Sequence, residues 1–164
     1  MGDARGWGVR AISHIPAGTF IDLYYGEIVT DEEADERYHN LYEQDERALY
    51  LFDLDFSAET GSKADFTIDA YKFGSVSRFF NHSCSPNLLV VPCFIDHIDQ
   101  SLHFIAFFAA KDIRPDEELS FDYTNDMYKS SGSAGARSKV YTDGRIPCLC
   151  GTPNCRKFVY PSDT

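Results

Sequence analysis

Residues Arg78 to Asn87 read Arg-Phe-Phe-Asn-His-Ser-Cys-Ser-Pro-Asn, placing two amides, an imidazole, a thiol and a guanidinium within ten positions. Such a run cannot be the interior of an ordinary strand or helix, because Asn and Ser compete for main-chain hydrogen bonds and Pro86 removes a donor. The segment Asn81 to Asn87 is therefore expected as a tightly turned, self-bonded loop whose entrance is buried by Phe79 and Phe80. An Asn-His pair alone is an ordinary polar turn; the other stretches of the chain give this one a chemical context.

The 164 residues, 43% hydrophobic and 15% aromatic, suffice for one core, and one domain is expected. No apolar run approaches the ~20 residues needed to cross a bilayer, and Met1 to Arg5 lacks the character of a secretory signal, so a soluble intracellular protein is expected. The net charge of -11 is concentrated: Asp22 to Asp69 holds 15 acidic and 3 basic residues. Met127 to Tyr160 is the reverse, with six basic residues against Asp143. An acidic body suits a basic peptide better than a phosphate backbone, so no dedicated nucleic-acid site is expected.

Taken in order, Gly6-Trp-Gly8 lets the backbone approach a partner closely beside a flat aromatic wall. Phe20 to Val29 reads as strand broken by Gly26. Thr30-Asp-Glu-Glu33 is a capping box, and Ala34, Tyr38, Leu41 and Tyr42 fall on one face, predicting one helix from Asp31 to Glu43. Ala48 to Phe56, Phe66 to Ala70, Leu88 to Ile95, His103 to Ala109 and Glu118 to Tyr123 read as strands. Pro92 marks an edge or bulge, and Phe121 and Tyr123 share a side. Met127 to Gly144 loses periodicity and fills with Ser, Gly, Ala and basic residues, predicting a flexible loop. Many short strands and one helix give a mainly β fold.

Five cysteines with uneven spacing fit an intracellular metal site plus a spare thiol better than a disulfide framework. Cys148-x-Cys150-x4-Cys155 offers three thiolates in eight residues, turned by Gly151 and Pro153. A structural zinc site needs a fourth ligand. Cys84, in the turned loop, is the better candidate; Cys93, in an apolar strand, reads as a small buried hydrophobe.

Gly6-Trp-Gly8, Tyr24-Tyr-Gly-Glu27, Tyr50-Leu-Phe-Asp-Leu-Asp55, Arg78-Phe-Phe-Asn-His-Ser-Cys84, Glu118-Leu-Ser-Phe-Asp-Tyr123 and the terminal cysteines resemble, in this order and over nearly the whole chain, a SET-domain lysine methyltransferase. The resemblance is closest to the Suppressor-of-variegation branch, which methylates lysine 9 of histone H3 in heterochromatin. It implies small sheets, a pseudoknot of Asn81 to Asn87 with Glu118 to Tyr123, and a zinc-binding post-SET arm. The expected divisions are a SET domain at 5–126, the basic loop at 127–144 and the arm at 145–161.

The resemblance also implies the site. S-adenosylmethionine would contact Arg5, Gly6, Trp7, Tyr50, Asn81 and His82, with Arg78 in support. Tyr24, Tyr123 and His82 would form the catalytic group, Phe121 and Tyr123 would line the lysine channel, and Cys84, Cys148, Cys150 and Cys155 would hold one zinc. Tyr160 stands where relatives often have another aromatic. The expected partner is the histone H3 tail in nuclear chromatin. Alternatives are a methyltransferase of a non-histone lysine and a catalytically silent histone-tail module. Lys129 or Lys139, tethered after Tyr123, would be positioned for self-methylation.

Overall fold

Strands form where β-branched and aromatic residues cluster, and they are short because Gly, Pro and Asp interrupt every run. The computed structural model describes residues 6–42, 50–56, 64–95, 99–124 and 146–159. Along the chain lie β1 (Phe20–Leu23), β2 (Glu27–Thr30), α1 (Asp31–Arg37), β3 (Leu51–Asp53), β4 (Phe66–Asp69), β5 (Asn81–His82), β6 (Leu88–Cys93), β7 (Phe104–Ala109) and β8 (Ser120–Phe121). One antiparallel sheet has the order β1-β7-β6, a second the order β2-β4-β3, and β5 pairs with β8 in parallel. The mainly β architecture matches expectation.

Gly26 does break the 20–29 run, sending β1 and β2 into different sheets. A Cβ at Gly26 would stand 2.5 Å from the Asp69 carbonyl oxygen, so only glycine lets the chain pass there. Pro92 lies in β6, an edge strand, where its missing N–H leaves no ladder bond unmade. Phe80, Leu88, Ile105, Phe107 and Ile113 are fully buried at the centre of the core. Each such burial contributes about 1.5–3 kcal/mol.

The helix differs from expectation. Thr30 caps it, its hydroxyl accepting from Glu33 N–H, but α winding stops at Arg37 and Tyr38–Tyr42 continues as a π-helix. The wider turn places the Tyr42 hydroxyl 2.6 Å from Asp69, whose other oxygen takes Arg37 at 2.7 Å. Arg37 also reaches Glu27 and Glu33. Leu41, expected on the buried face, is 48% exposed because the π turn rotates it outward. Glu43 lies outside the described residues, as do the 127–144 loop and residues 48–49 of the third predicted strand. Cys93 is half-buried at the end of β6 rather than in the core. No helix among the described residues is long and apolar enough to cross a membrane.

Candidate functional site

The 81–87 run bonds outward more than to itself. β5 occupies Asn81–His82 as a two-residue strand, and two internal bonds, Ser85 N–H to the Ser83 hydroxyl and His82 Nε2 to Cys84 Sγ, tighten the turn that follows. Ser83 N–H donates to the Phe121 carbonyl, Asn87 N–H to that of Ser120, and the Asn87 amide reaches Glu117 and Glu118. Asn87 Oδ1 in turn accepts from Ser120 N–H. The Asn87 side chain and the main-chain N–H groups of Ser83 and Asn87 thus extend the ladder beyond the two-residue strands.

This lacing brings four aromatic rings together from three places in the chain. Tyr24 lies 5.2 Å from Phe52, Phe52 stacks on Phe121 at 5.9 Å, and Phe121 lies 4.7 Å from Tyr123. Phe107 and Phe80 back the cluster from β7 and the loop entrance. The Tyr24 hydroxyl donates to the Tyr50 carbonyl and the Tyr123 hydroxyl to that of Phe80, both at 2.9 Å. Burial, with the Tyr123 phenol next, pushes Tyr24 well above the usual phenol range, so it is neutral at physiological pH.

Beside the rings lies a polar edge. Asn81 donates to Glu118 at 2.7 Å and to the Trp7 carbonyl at 3.1 Å, tying the first glycine-rich turn to β5. Gly6 has φ +74°, and a Cβ on Gly8 would stand 2.8 Å from Glu118 Oε1 and 2.9 Å from Asn81 Nδ2. The Trp7 ring is 82% exposed. His82 Nδ1 accepts from Tyr123 N–H at 3.2 Å, which assigns the proton of the neutral ring to Nε2. Burial first, then the Arg156 charge, pushes His82 down to about 4 against the pull of Asp122, so the ring is neutral. Arg78 lies 4.2 Å over the Tyr50 ring, its buried Nε without a hydrogen-bond partner among the described residues.

The four cysteines expected as ligands come together. The sulfurs of Cys84, Cys148, Cys150 and Cys155 all lie within 4.8 Å of one another, with Cys84 and Cys148 3.6 Å apart. Tetrahedral coordination at ~2.3 Å requires sulfurs about 3.8 Å apart, so the four are compatible with a zinc site. Burial drives the Cys148 thiol up, whereas at Cys150 hydrogen bonds outweigh burial and drive the thiol down. Four crowded, half-buried thiols are the donor set of a thiophilic cation. Cys93 points its sulfur at Val91 instead.

Of the residues expected at the site, Gly6, Trp7, Tyr24, Tyr50, Arg78, Asn81, His82, Phe121 and Tyr123 join one connected region; Arg5 and Tyr160 lie outside the described residues. Three contributors escaped the sequence reading. Phe52 completes the ring cluster, and the alternation Tyr50, Phe52, Leu54 was its signal. Asp122 and Arg156 form a bidentate ion pair at 2.7 and 3.0 Å. Their signals were an acid between two site aromatics and a cation directly after a cysteine.

The model of the SET domain family matches residues 6–124. The chain is 42% identical over 96% of its length to the histone-lysine N-methyltransferase Su(var)3-9 of Drosophila pseudoobscura pseudoobscura, and 41% identical over 95% to a histone-lysine N-methyltransferase, H3 lysine-9 specific, of Schizosaccharomyces pombe. It spans 24% of the first relative's length and 31% of the second's. Its fold matches 28% of a crystallised chain, KRYPTONITE in complex with mCHG DNA and SAH, over 97% of its own length, with a TM-score of 0.72 and 30% identity. Family match, ring cluster and four-thiol arm agree: the chain belongs to the SET domain family.

Proposed function

We propose that the chain is an S-adenosylmethionine-dependent protein lysine N-methyltransferase that di- and trimethylates lysine 9 of histone H3 in nuclear heterochromatin. The observation that carries this reading is the ring cluster of Tyr24, Phe52, Phe121 and Tyr123, with both tyrosine hydroxyls donated to main-chain carbonyls. A phenol that donates its proton can still accept from an amine, and rings of this kind stabilise methylammonium products by cation–π attraction. The curated relatives, which bear histone-lysine methyltransferase names, support the same substrate class.

S-adenosylmethionine supplies the methyl group on a sulfonium. Trp7, Tyr50, Arg78, Asn81 and His82, with Gly6, would hold it, and the same role is proposed for Arg5. The bare Arg78 Nε and the glycine turn fit a bound polar ligand. A lysine entering among the rings loses its proton to water; at a reference pKa of ~10.4, the neutral amine costs about 4.6 kcal/mol at pH 7. Desolvation by Phe52 and Phe121 reduces that cost. Tyr123 orients the amine by accepting one of its N–H bonds, and Tyr24, kept neutral by burial, acts as a second acceptor rather than a base. Alignment of nitrogen, methyl and leaving sulfur supplies most of the acceleration.

Cys84, Cys148, Cys150 and Cys155 would hold one zinc, and as ligands from both parts they would tie the arm at 145–161 to the SET domain at 5–126. The acidic body draws in the basic histone tail. Lys129 and Lys139 are candidate self-methylation sites, since they follow Tyr123 closely in the sequence. The test is transfer of labelled methyl to histone H3 tail peptides, with and without substitution of lysine 9, and to the chain itself. Label on the intact tail that vanishes with lysine 9 is expected. Label retained by the substituted tail moves the target to another lysine, and cofactor binding without transfer makes the chain a silent module.

A further inference from the structure

The arm that carries three of the four thiols also carries Arg156, directly after Cys155. Its guanidinium reaches back to the body: Nη2 donates to Asp122 Oδ1 at 2.7 Å, and Nη1 to Asp122 Oδ2 at 3.0 Å and the Thr124 hydroxyl at 3.1 Å. Asp122 is only 10% exposed and Arg156 24%, so water competes weakly for either charge. Asp122 sits between Phe121 and Tyr123, and the same carboxylate accepts from Thr124 N–H and hydroxyl. The carboxylate therefore has one cationic partner from the arm and two neutral donors from its own turn.

Two features place the guanidinium under control of the cysteine cluster. Arg156 N–H donates to Cys84 Sγ at 3.4 Å, and Lys157 N–H donates to Cys155 Sγ at 3.3 Å. Lys157 has φ +74°, a conformation that side chains adopt at a cost, and the turn holding Arg156 in place is kept by these bonds to cluster sulfurs together with the main-chain bond from Cys148 N–H to the Lys157 carbonyl at 2.8 Å. On the body side, the Arg156 Nη2 atom lies 3.4 Å from His82 Nε2. Both are donors in the neutral ring, so this contact orients nothing by itself; the His82 Nε2–H is directed to Cys84 Sγ, 3.4 Å away. One cluster sulfur and one arm guanidinium thus bracket His82, whose other nitrogen holds the Tyr123 main chain.

We propose that Arg156 is a positioning residue that couples metal loading of the four cysteines to ligand binding at His82 and Tyr123. The inference rests on the methyltransferase reading for the identity of the ligand. With the cluster filled, the arm presents the guanidinium to Asp122, and the Phe121-to-Thr124 segment is held where the ring cluster needs it. With the cluster empty, the Lys157 turn relaxes, the ion pair opens and the segment loses its arm partner. Linkage makes the effect reciprocal, so a ligand in the pocket tightens the metal by the factor by which the metal tightens the ligand.

The test measures zinc affinity of the full chain by competition with a chromophoric chelator, with and without saturating S-adenosylhomocysteine. Calorimetry then gives S-adenosylhomocysteine affinity for the zinc-loaded and chelator-stripped chain. In the wild type the two ratios should agree, at on the order of 5- to 150-fold. Arg156→Gln should still take one zinc, since all four thiols remain, but its ratio should fall to near one. Arg156→Lys, which keeps the charge opposite Asp122 and therefore the fold, should give an intermediate ratio. A merely structural role would weaken each ligand by itself and leave the ratio intact, so an undiminished ratio in both variants overturns the coupling. Wild type that binds zinc and S-adenosylhomocysteine independently overturns it too, whereas wild type that binds zinc but no S-adenosylhomocysteine overturns the functional reading with it.

Discussion

Replacing Tyr123 by Phe removes one oxygen and leaves the ring. The ring's contacts with Phe121 at 4.7 Å and with His82 at 5.3 Å survive. The lost bond is the 2.9 Å one to the Phe80 carbonyl. A single bond of this kind is worth about 0.5–1.5 kcal/mol to folding, and in a domain of this size each kcal/mol moves the melting temperature by roughly 2–4 °C. Tyr123→Phe should therefore melt within about 1–6 °C of wild type. Turnover should respond on another scale, because the amine loses the acceptor that aligns it, and small misplacements of a reacting group cost on the order of 100-fold. Scanning calorimetry and labelled-methyl transfer to the histone H3 tail, run on one preparation, measure both. Undiminished turnover would remove Tyr123 from the mechanism, and a large drop in melting temperature would show that its bond to Phe80 is chiefly a folding contact.

Metal analysis should find about one zinc per chain; Cys84→Ser and Cys150→Ser should both lose it and Cys93→Ser should keep it, with the Cys84 and Cys93 outcomes exchanged if Cys93 is the true fourth ligand. Phe121→Tyr adds a hydroxyl inside the ring cluster, so the methylation ladder should shorten to mono- or dimethyl-lysine by mass spectrometry; an unchanged ladder contradicts the assignment of Phe121 to the channel. Asp55 is pushed up to about 7, by burial first and the Asp53 charge second. Since the folded carboxyl holds its proton between its unfolded value near 3.8 and about 7, ionising it costs stability that is lost as pH rises through that window. Asp55→Asn should accordingly melt higher than wild type at pH 8, with the advantage shrinking toward pH 4, and a pH-independent difference would exclude the Asp55 carboxyl as its source.

Features whose causes lie within a few residues were legible in the chain itself. Thr30 and Glu33 announce the helix start, Gly26 the break between β1 and β2, and Pro92 an edge strand, because caps, turns and missing donors act over one to four positions. The spacing of Cys148, Cys150 and Cys155 announces a metal by the same short reach. The recurring motif order extended this to the ring and cofactor residues, which composition alone would have left as packing.

Other features depend on which strand meets which. That Phe52 stacks on Phe121 follows from β3 standing at the edge of one sheet beside the parallel β5–β8 pair, and alternation around Tyr50 indicates a strand without naming its neighbour. The π turn at Tyr38–Tyr42 arises because Asp69, 27 residues beyond Tyr42, offers its oxygen where an α turn would miss it. The Asp122–Arg156 pair joins residues 34 apart. Each is a contact between surfaces brought together by the whole fold, and the physical reason is the same in all three. A side chain's own neighbours set its local conformation, whereas its partner is set by how several sheets pack at once.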